Sequence, residues 1–116
     1  MSLLHITGTE QFKKEIAEYD GLVVLDFWAE WCGPCRMIGP VMEELSHENA
    51  AKDVKIAKVN VDENPDLAAA FQVSSIPVVF FMKHGEAVDR IIGANPKNVY
   101  QEKIDALLAE GQKMAA

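Results

Sequence analysis

Strand and helix signals alternate along this chain as in an α/β protein, and they predict a three-layer α/β/α sandwich: a central mixed sheet of about five strands with four helices. Three observations carry that prediction. Leu22–Trp28 is apolar on both faces, as a central strand covered on two sides would be. Around it runs a β-α-β-α-β alternation, whose parallel crossovers should be right-handed. Pro77–Met82 and Glu86–Ile92 flank Lys83-His84-Gly85, which reads as the turn of an antiparallel hairpin.

Each element has its own signal. Leu3–Ile6 is a short strand. Thr7 and Glu10 have the spacing of a capping box for a helix that puts Phe12, Ile16 and Tyr19 on one face, and Gly21 ends that unit. After Leu22–Trp28, a helix runs from about Pro34 to His47 with Met37, Val41, Met42 and Leu45 as its apolar positions. Pro40 lies inside it, where proline costs about 3 kcal/mol and kinks the axis. Val54–Val61 is the next strand. Asn64-Pro65 is a cap followed by a first-turn proline, opening a short helix to about Phe71. A second such pair, Asn95-Pro96, opens a last helix with Tyr100, Ile104, Leu107 and Leu108 inward and a stop at Gly111.

The chain has 116 residues, which suits one domain over 1–116. Its formal charge of −7 and pI near 4.8 would repel a nucleic-acid backbone or an anionic membrane, so neither is an expected partner. Met1–Thr7 lacks a basic start followed by a long apolar run, and no segment approaches the roughly 20 apolar residues of a membrane span. A cytoplasmic location is expected, where structural disulfides are rare.

The chain's two cysteines, Cys32 and Cys35, stand in Trp31-Cys32-Gly33-Pro34-Cys35, where the apolar strand gives way to a helix. Three positions apart on one helical face, their Cβ atoms would lie roughly 5–6 Å apart, within reach of a disulfide. The thiolate is the attacking species, and unpaired N–H groups with the positive end of the dipole at a helix start favour it at Cys32. Pro34 in the first turn gives up only an N–H that lacks a partner there. Cys32 is thus the attacking residue and Cys35, a turn deeper, the resolving one. Zinc would need four ligands, and the three histidines, His5, His47 and His84, are scattered. Haem attachment would need histidine where Arg36 stands. An inert pair is the remaining alternative.

Asp26 is the one charge within Leu22–Trp28. Its apolar flanks favour burial, which raises a carboxyl's pKa, over an edge position reaching solvent. Lys58 comes near it if the two strands pair, and faces solvent if its strand merely alternates. Trp28 reads as core and Trp31 as contact surface. Few X-Pro bonds are cis in folded proteins, so Ile76-Pro77 reads as trans on sequence alone.

Trp28-Ala29-Glu30-Trp31-Cys32-Gly33-Pro34-Cys35, followed by Pro40, Lys58, Ile76-Pro77 and Gly93-Ala94 and preceded by Asp26, closely resembles the thioredoxin family, from about Leu3 to Leu108. The resemblance implies a thioredoxin-like fold and a general protein disulfide reductase acting as a monomer with no bound cofactor. Its electrons would come from NADPH through a separate flavoprotein thioredoxin reductase. Oxidised proteins such as ribonucleotide reductase, peroxiredoxins and methionine sulfoxide reductases would be its substrates. It further implies that Asp26 serves proton transfer to the buried cysteine and that Lys58 pairs with it. Pro77 would be cis and face the disulfide, while Trp31, Ile76-Pro77 and Gly93-Ala94 receive substrate. Oxidases and isomerases of this fold usually carry histidine between the cysteines, whose charge stabilises the thiolate; Gly33-Pro34 offers none. Arg36, Gly39, Ser74-Ser75 and Val78 depart from the usual residues and bear on partner preference rather than on the chemistry.

Overall fold

The computed structural model describes residues 3–115, with side chains over 3–110. Met1 and Ser2, the first residues of the stretch without leader features, and Ala116 at the end of the expected domain lie outside the described residues.

Five strands form one mixed sheet: β1 (Leu4–Ile6), β2 (Leu22–Trp28), β3 (Val54–Asn60), β4 (Val78–Lys83) and β5 (Glu86–Ile92), in the order β1-β3-β2-β4-β5. β3 runs parallel to β1 and β2, and β4 is antiparallel to both β2 and β5. β2 therefore lies inside the sheet, and it is apolar on both faces because helices pack over each of them. Alternate residues of the strands feed two cores. Leu22 and Val24 pack with Ile56, Val79 and Phe81 against α2 (Gly33–Glu48) and α4 (Lys97–Ala115), through Ile38, Met42, Leu45, Tyr100 and Ile104. Val23, Leu25 and Phe27 pack with Val59, Phe80 and Met82 against Ile16 and Leu67 on the opposite face. That face carries α1 (Thr9–Phe12), which continues as a π-helical stretch over Lys13–Ala17, and α3 (Pro65–Ala70). By alternation Asp26 points toward α2, the helix that starts at the dithiol.

Several local expectations are corrected. The Thr7–Glu10 capping box does not form. Gly8 caps α1 instead, at φ 87°, and Gln11 Oε1 accepts from the Thr7 N–H at 2.6 Å, so the reach-back comes from one residue further along. Met37 is 71% exposed, and the buried stripe of α2 is Cys35, Ile38, Met42 and Leu45. Its spacing of three and four residues passes Met37 by. Asn64 caps α3 without a side-chain hydrogen bond to it; its amide instead donates to the Ile6 and Asn60 carbonyls, and its Oδ1 accepts from Gly8 N–H. α4 continues through Gly111 to Ala115, since one glycine costs only about 1 kcal/mol relative to alanine and good helix formers follow it. The hairpin turn is tighter than expected: Lys83 stays in β4, and His84 and Gly85 make the turn at φ 52° and 81°, both left-handed as a two-residue I′ turn requires.

Candidate active site

β2 delivers the chain to a short turn fixed from three sides. Trp28 C=O accepts from Val61 N–H at 2.9 Å, Ala29 C=O from Cys32 N–H at 3.2 Å, and Glu30 C=O from the Arg36 guanidinium at 2.8 Å. Cys32 is the N-cap of α2. Its backbone is extended (φ −93°, ψ 107°) and its Sγ accepts from Cys35 N–H at 3.2 Å. An N–H that would otherwise lack a helical partner is thus aimed at sulfur, where it stabilises developing thiolate charge. The two sulfurs are joined as a disulfide with Cα atoms 5.3 Å apart. Cys32 is 5% exposed and Cys35 1%, in a small cluster with Ala29 flanked by Trp28, Val61 and Ile76. Gly33 and Pro34 are exposed beside them.

Asp26 is 0% exposed, and neither carboxylate oxygen has a hydrogen-bond partner among the described residues. Burial pushes its pKa up to about 7, and the charge of Lys58 opposes that rise without cancelling it. Lys58 is buried and lies directly across from Asp26 in the β2–β3 register, so the strands do pair as the sequence allowed. Its ammonium sits 4.4 Å from the centroid of the Trp28 ring rather than hydrogen-bonding the carboxylate. Trp28 is half-buried and its indole Nε1 is a buried donor without a partner among the described residues.

Around the disulfide, Cys32 Sγ lies 3.7 Å from the Ile76 carbonyl oxygen. The Ile76-Pro77 bond is cis, as the resemblance implied and the general rarity of such bonds did not. Pro77 is buried and its C=O accepts from Gly93 N–H at 2.8 Å, which joins the Gly93-Ala94 segment to the Ile76-Pro77 loop. Gly93 has φ 89°, a left-handed conformation that favours glycine. Trp31 is 68% exposed, Ile76 half-buried and Ala94 exposed. Sequence reasoning passed over Asp62, whose carboxylate accepts from Trp31 Nε1 at 2.9 Å. The cluster of turn residues from Asn60 to Pro65 was the available signal. Among the described residues no group of three or more His, Cys, Asp or Glu side chains gathers as a metal site, and no helix is long and apolar enough to cross a membrane.

A dithiol that caps a helix, fed by a buried strand carrying a lone acid, defines a thiol–disulfide oxidoreductase. The thioredoxin family model matches residues 3–106. The chain is 48% identical over 96 residues to the thioredoxin of Chlorobaculum thiosulfatiphilum, covering 83% of this chain and 88% of that one. In structure it is similar to Malassezia sympodialis thioredoxin, with a TM-score of 0.82, 40% identity and 90% of each chain covered. It is also similar to a chain solved in work on the thiol-resolving mechanism of yeast mitochondrial 1-Cys peroxiredoxin via glutathione/thioredoxin systems, with a TM-score of 0.79, 31% identity, and 90% of this chain and 95% of that one covered. This chain belongs to the thioredoxin family, and it is a protein-disulfide reductase whose reaction is thiol–disulfide exchange through Cys32 and Cys35. Members of the family generally work without a bound cofactor, between a reductase that reloads the dithiol and proteins whose disulfides oxidise it.

Proposed function

We propose that this chain, one domain over 1–116 and a cytoplasmic monomer, is a general reductant of protein disulfides in which Cys32 attacks and Cys35 resolves. The Cys32 thiolate attacks one sulfur of the substrate disulfide, forms a mixed disulfide and expels the other sulfur as a thiolate. Cys35 gives its proton to Asp26, and its sulfur attacks Cys32 Sγ. The second substrate sulfur leaves as a thiolate, and the Cys32–Cys35 disulfide remains. Two electrons pass to the substrate, whose two sulfurs end as thiols. NADPH, acting through a separate flavoprotein thioredoxin reductase, returns the chain to the dithiol.

The observation that carries the order of attack is the Cys35 N–H aimed at Cys32 Sγ at the helix N-cap, which favours the thiolate at Cys32. Asp26 suits the proton-accepting role because a base works best with a pKa near the operating pH, and burial brings this carboxyl to about 7. Lys58 tunes that acid from the neighbouring strand. Substrate docks on Trp31, Ile76-Pro77 and Gly93-Ala94, largely through backbone and apolar contact, which reads little side-chain identity and suits unrelated partners. Peroxiredoxins are one partner class, consistent with the yeast relative; ribonucleotide reductase and methionine sulfoxide reductases are others that need such a reductant.

The test is trapping. Mixed with an oxidised protein, Cys35→Ser should accumulate a mixed disulfide visible by mass spectrometry, because nothing remains to release the partner. Cys32→Ser should form none. Trapping by Cys32→Ser alone would reverse the assignment.

A further inference from the structure

Gly93 is held by hydrogen bonds rather than by packing. It lies one residue past β5 with φ 89°, and a Cβ added there would meet no atom within 4 Å. Its N–H donates to Pro77 C=O at 2.8 Å, which ties one side of the residue to the Ile76-Pro77 loop. On the other side its carbonyl accepts twice. The half-buried Asn95, two residues along, donates through Nδ2 at 3.1 Å, and the Tyr100 hydroxyl donates at 3.2 Å. Both lone pairs of that oxygen are therefore used. Tyr100 stands in the first turn of α4 and is fully buried in the core that α2 and α4 form with the sheet. The ring fills that place without help from its oxygen, so the hydroxyl adds nothing to apolar packing. Burial raises its pKa above the ordinary 10.0, and it stays a donor at every working pH.

We infer that Tyr100 is a positioning residue for substrate capture: its hydroxyl, reaching out of the core to the Gly93 carbonyl, fixes the Gly93-Ala94 segment in the orientation on which an oxidised protein docks. The inference rests on the docking role proposed for Gly93-Ala94 and adds what sets the geometry of that segment. Glycine has more backbone freedom to lose than any other residue, so a segment ordered beforehand loses less on binding. Neither cysteine belongs to this set of hydrogen bonds, so the effect falls on capture and not on the sulfur chemistry.

The experiment mixes pre-reduced protein with insulin and, separately, with hydroxyethyl disulfide, without any reductase. For insulin it records the half-saturating concentration and the limiting rate, and for the small disulfide the second-order rate. Tyr100→Phe keeps the ring in the core and removes only the hydroxyl. It should raise the half-saturating insulin concentration about five-fold, the scale of one lost hydrogen bond, with limiting rate and redox potential unchanged. Hydroxyethyl disulfide, too small to rest on the segment, should react as fast as with the parent. In an NMR spectrum the Gly93 N–H should exchange faster with solvent. Tyr100→Leu, which loses the ring as well, should melt lower yet capture insulin no worse than Tyr100→Phe. If capture instead follows melting temperature across the two variants, the residue is merely structural and the inference falls. Equal losses with both disulfides would put the effect on the dithiol and also overturn it. Ala94→Asp tests the docking role itself. If Ala94→Asp captures insulin poorly while Tyr100→Phe is silent, Asn95 alone holds the carbonyl, so the inference falls and the docking role stands. If Ala94→Asp is silent, both fall.

Discussion

Removing the buried acid should make this protein more stable at neutral pH, even though the change leaves a hole. In the oxidised form, burial lifts the Asp26 pKa from an ordinary 3.8 to about 7. A carboxyl that binds its proton more tightly when folded has no effect on stability well below the unfolded pKa, where both states are protonated. As pH rises past that value the unfolded chain ionises first, so stability is lost, and the loss levels off above the folded pKa. A gap of about three units at about 1.4 kcal/mol each amounts to about 4 kcal/mol near pH 8. Asp26→Ala removes this penalty and opens a carboxyl-sized void costing about 1–2 kcal/mol. The variant should therefore be about 2–3 kcal/mol more stable than the parent near pH 8 and less stable at about pH 4, the two curves crossing near pH 5. Between roughly pH 5 and 6.5 the difference should grow by about 1.4 kcal/mol per pH unit, the slope of one proton. Urea unfolding of both oxidised proteins at several pH values measures it. Parallel curves across that range would mean that Asp26 does not titrate there. A variant less stable at every pH yet fully active would sink both the energetic and the proton-transfer reading, because Cys35 should exchange more slowly without its acceptor.

Four other substitutions test separate parts of the site. Gly39 lies within α2, and an added Cβ would meet only Lys58 Nζ at 3.9 Å outside the helix's own turns. Gly39→Ala should thus stabilise by about 0.5–1 kcal/mol in denaturant melts, with exchange rates unchanged. Pro34→His would place a cation beside the Cys32 thiolate; if that contact is worth about 1.4 kcal/mol, the redox potential rises by about 30 mV in a glutathione-buffered equilibrium. Because Gly93 is left-handed, a side chain there would strain the backbone as well as charge the surface. Ala94→Asp is the cleaner probe, and it should lower kcat/KM with protein disulfides several-fold while the potential stays fixed. Lys58→Met removes the charge that holds Asp26 down, so the carboxyl's titration, followed by carbon NMR, should move above about 7.

What the sequence made legible follows from how local the determining physics is. Leu22–Trp28 announces a central strand because every side chain must be apolar when both faces are covered, and Asp26 stands out against that run. Cys32 and Cys35 are brought together by three residues of helix, so their pairing needs no knowledge of the rest of the chain. Local rules misled where several local partners compete: Gln11 in place of Glu10 takes the Thr7 N–H, and the helix starts after Gly8, whose positive φ sets the entry of the chain. Contacts between distant segments were legible only in part. Lys58 could be nominated beside Asp26, but the register that puts them side by side belongs to the β2–β3 pairing and to neither strand alone. The Trp31–Asp62 bond spans two loops joined across that same pairing; the turn residues from Asn60 to Pro65 mark the loop, but its partner lies in the other one.

For the proton-accepting role proposed for Asp26, the position of Lys58 sets the strength of the base. A direct, hydrogen-bonded ion pair would hold the Asp26 carboxylate well below neutrality, where it is too weak a base to take a proton from a thiol. With no cation nearby, burial alone would lift the pKa further and keep the group protonated at neutral pH. Here the ammonium is drawn onto the face of Trp28, 4.4 Å from the ring centroid, close enough to oppose the desolvation but not to hydrogen-bond the acid. The orphaned oxygens of Asp26 are a stability defect by the usual rule that buried polar groups find partners. They fall on the strand that feeds the dithiol, on the face toward α2, where a carboxyl with a pKa of about 7 suits the proton-accepting role proposed for it.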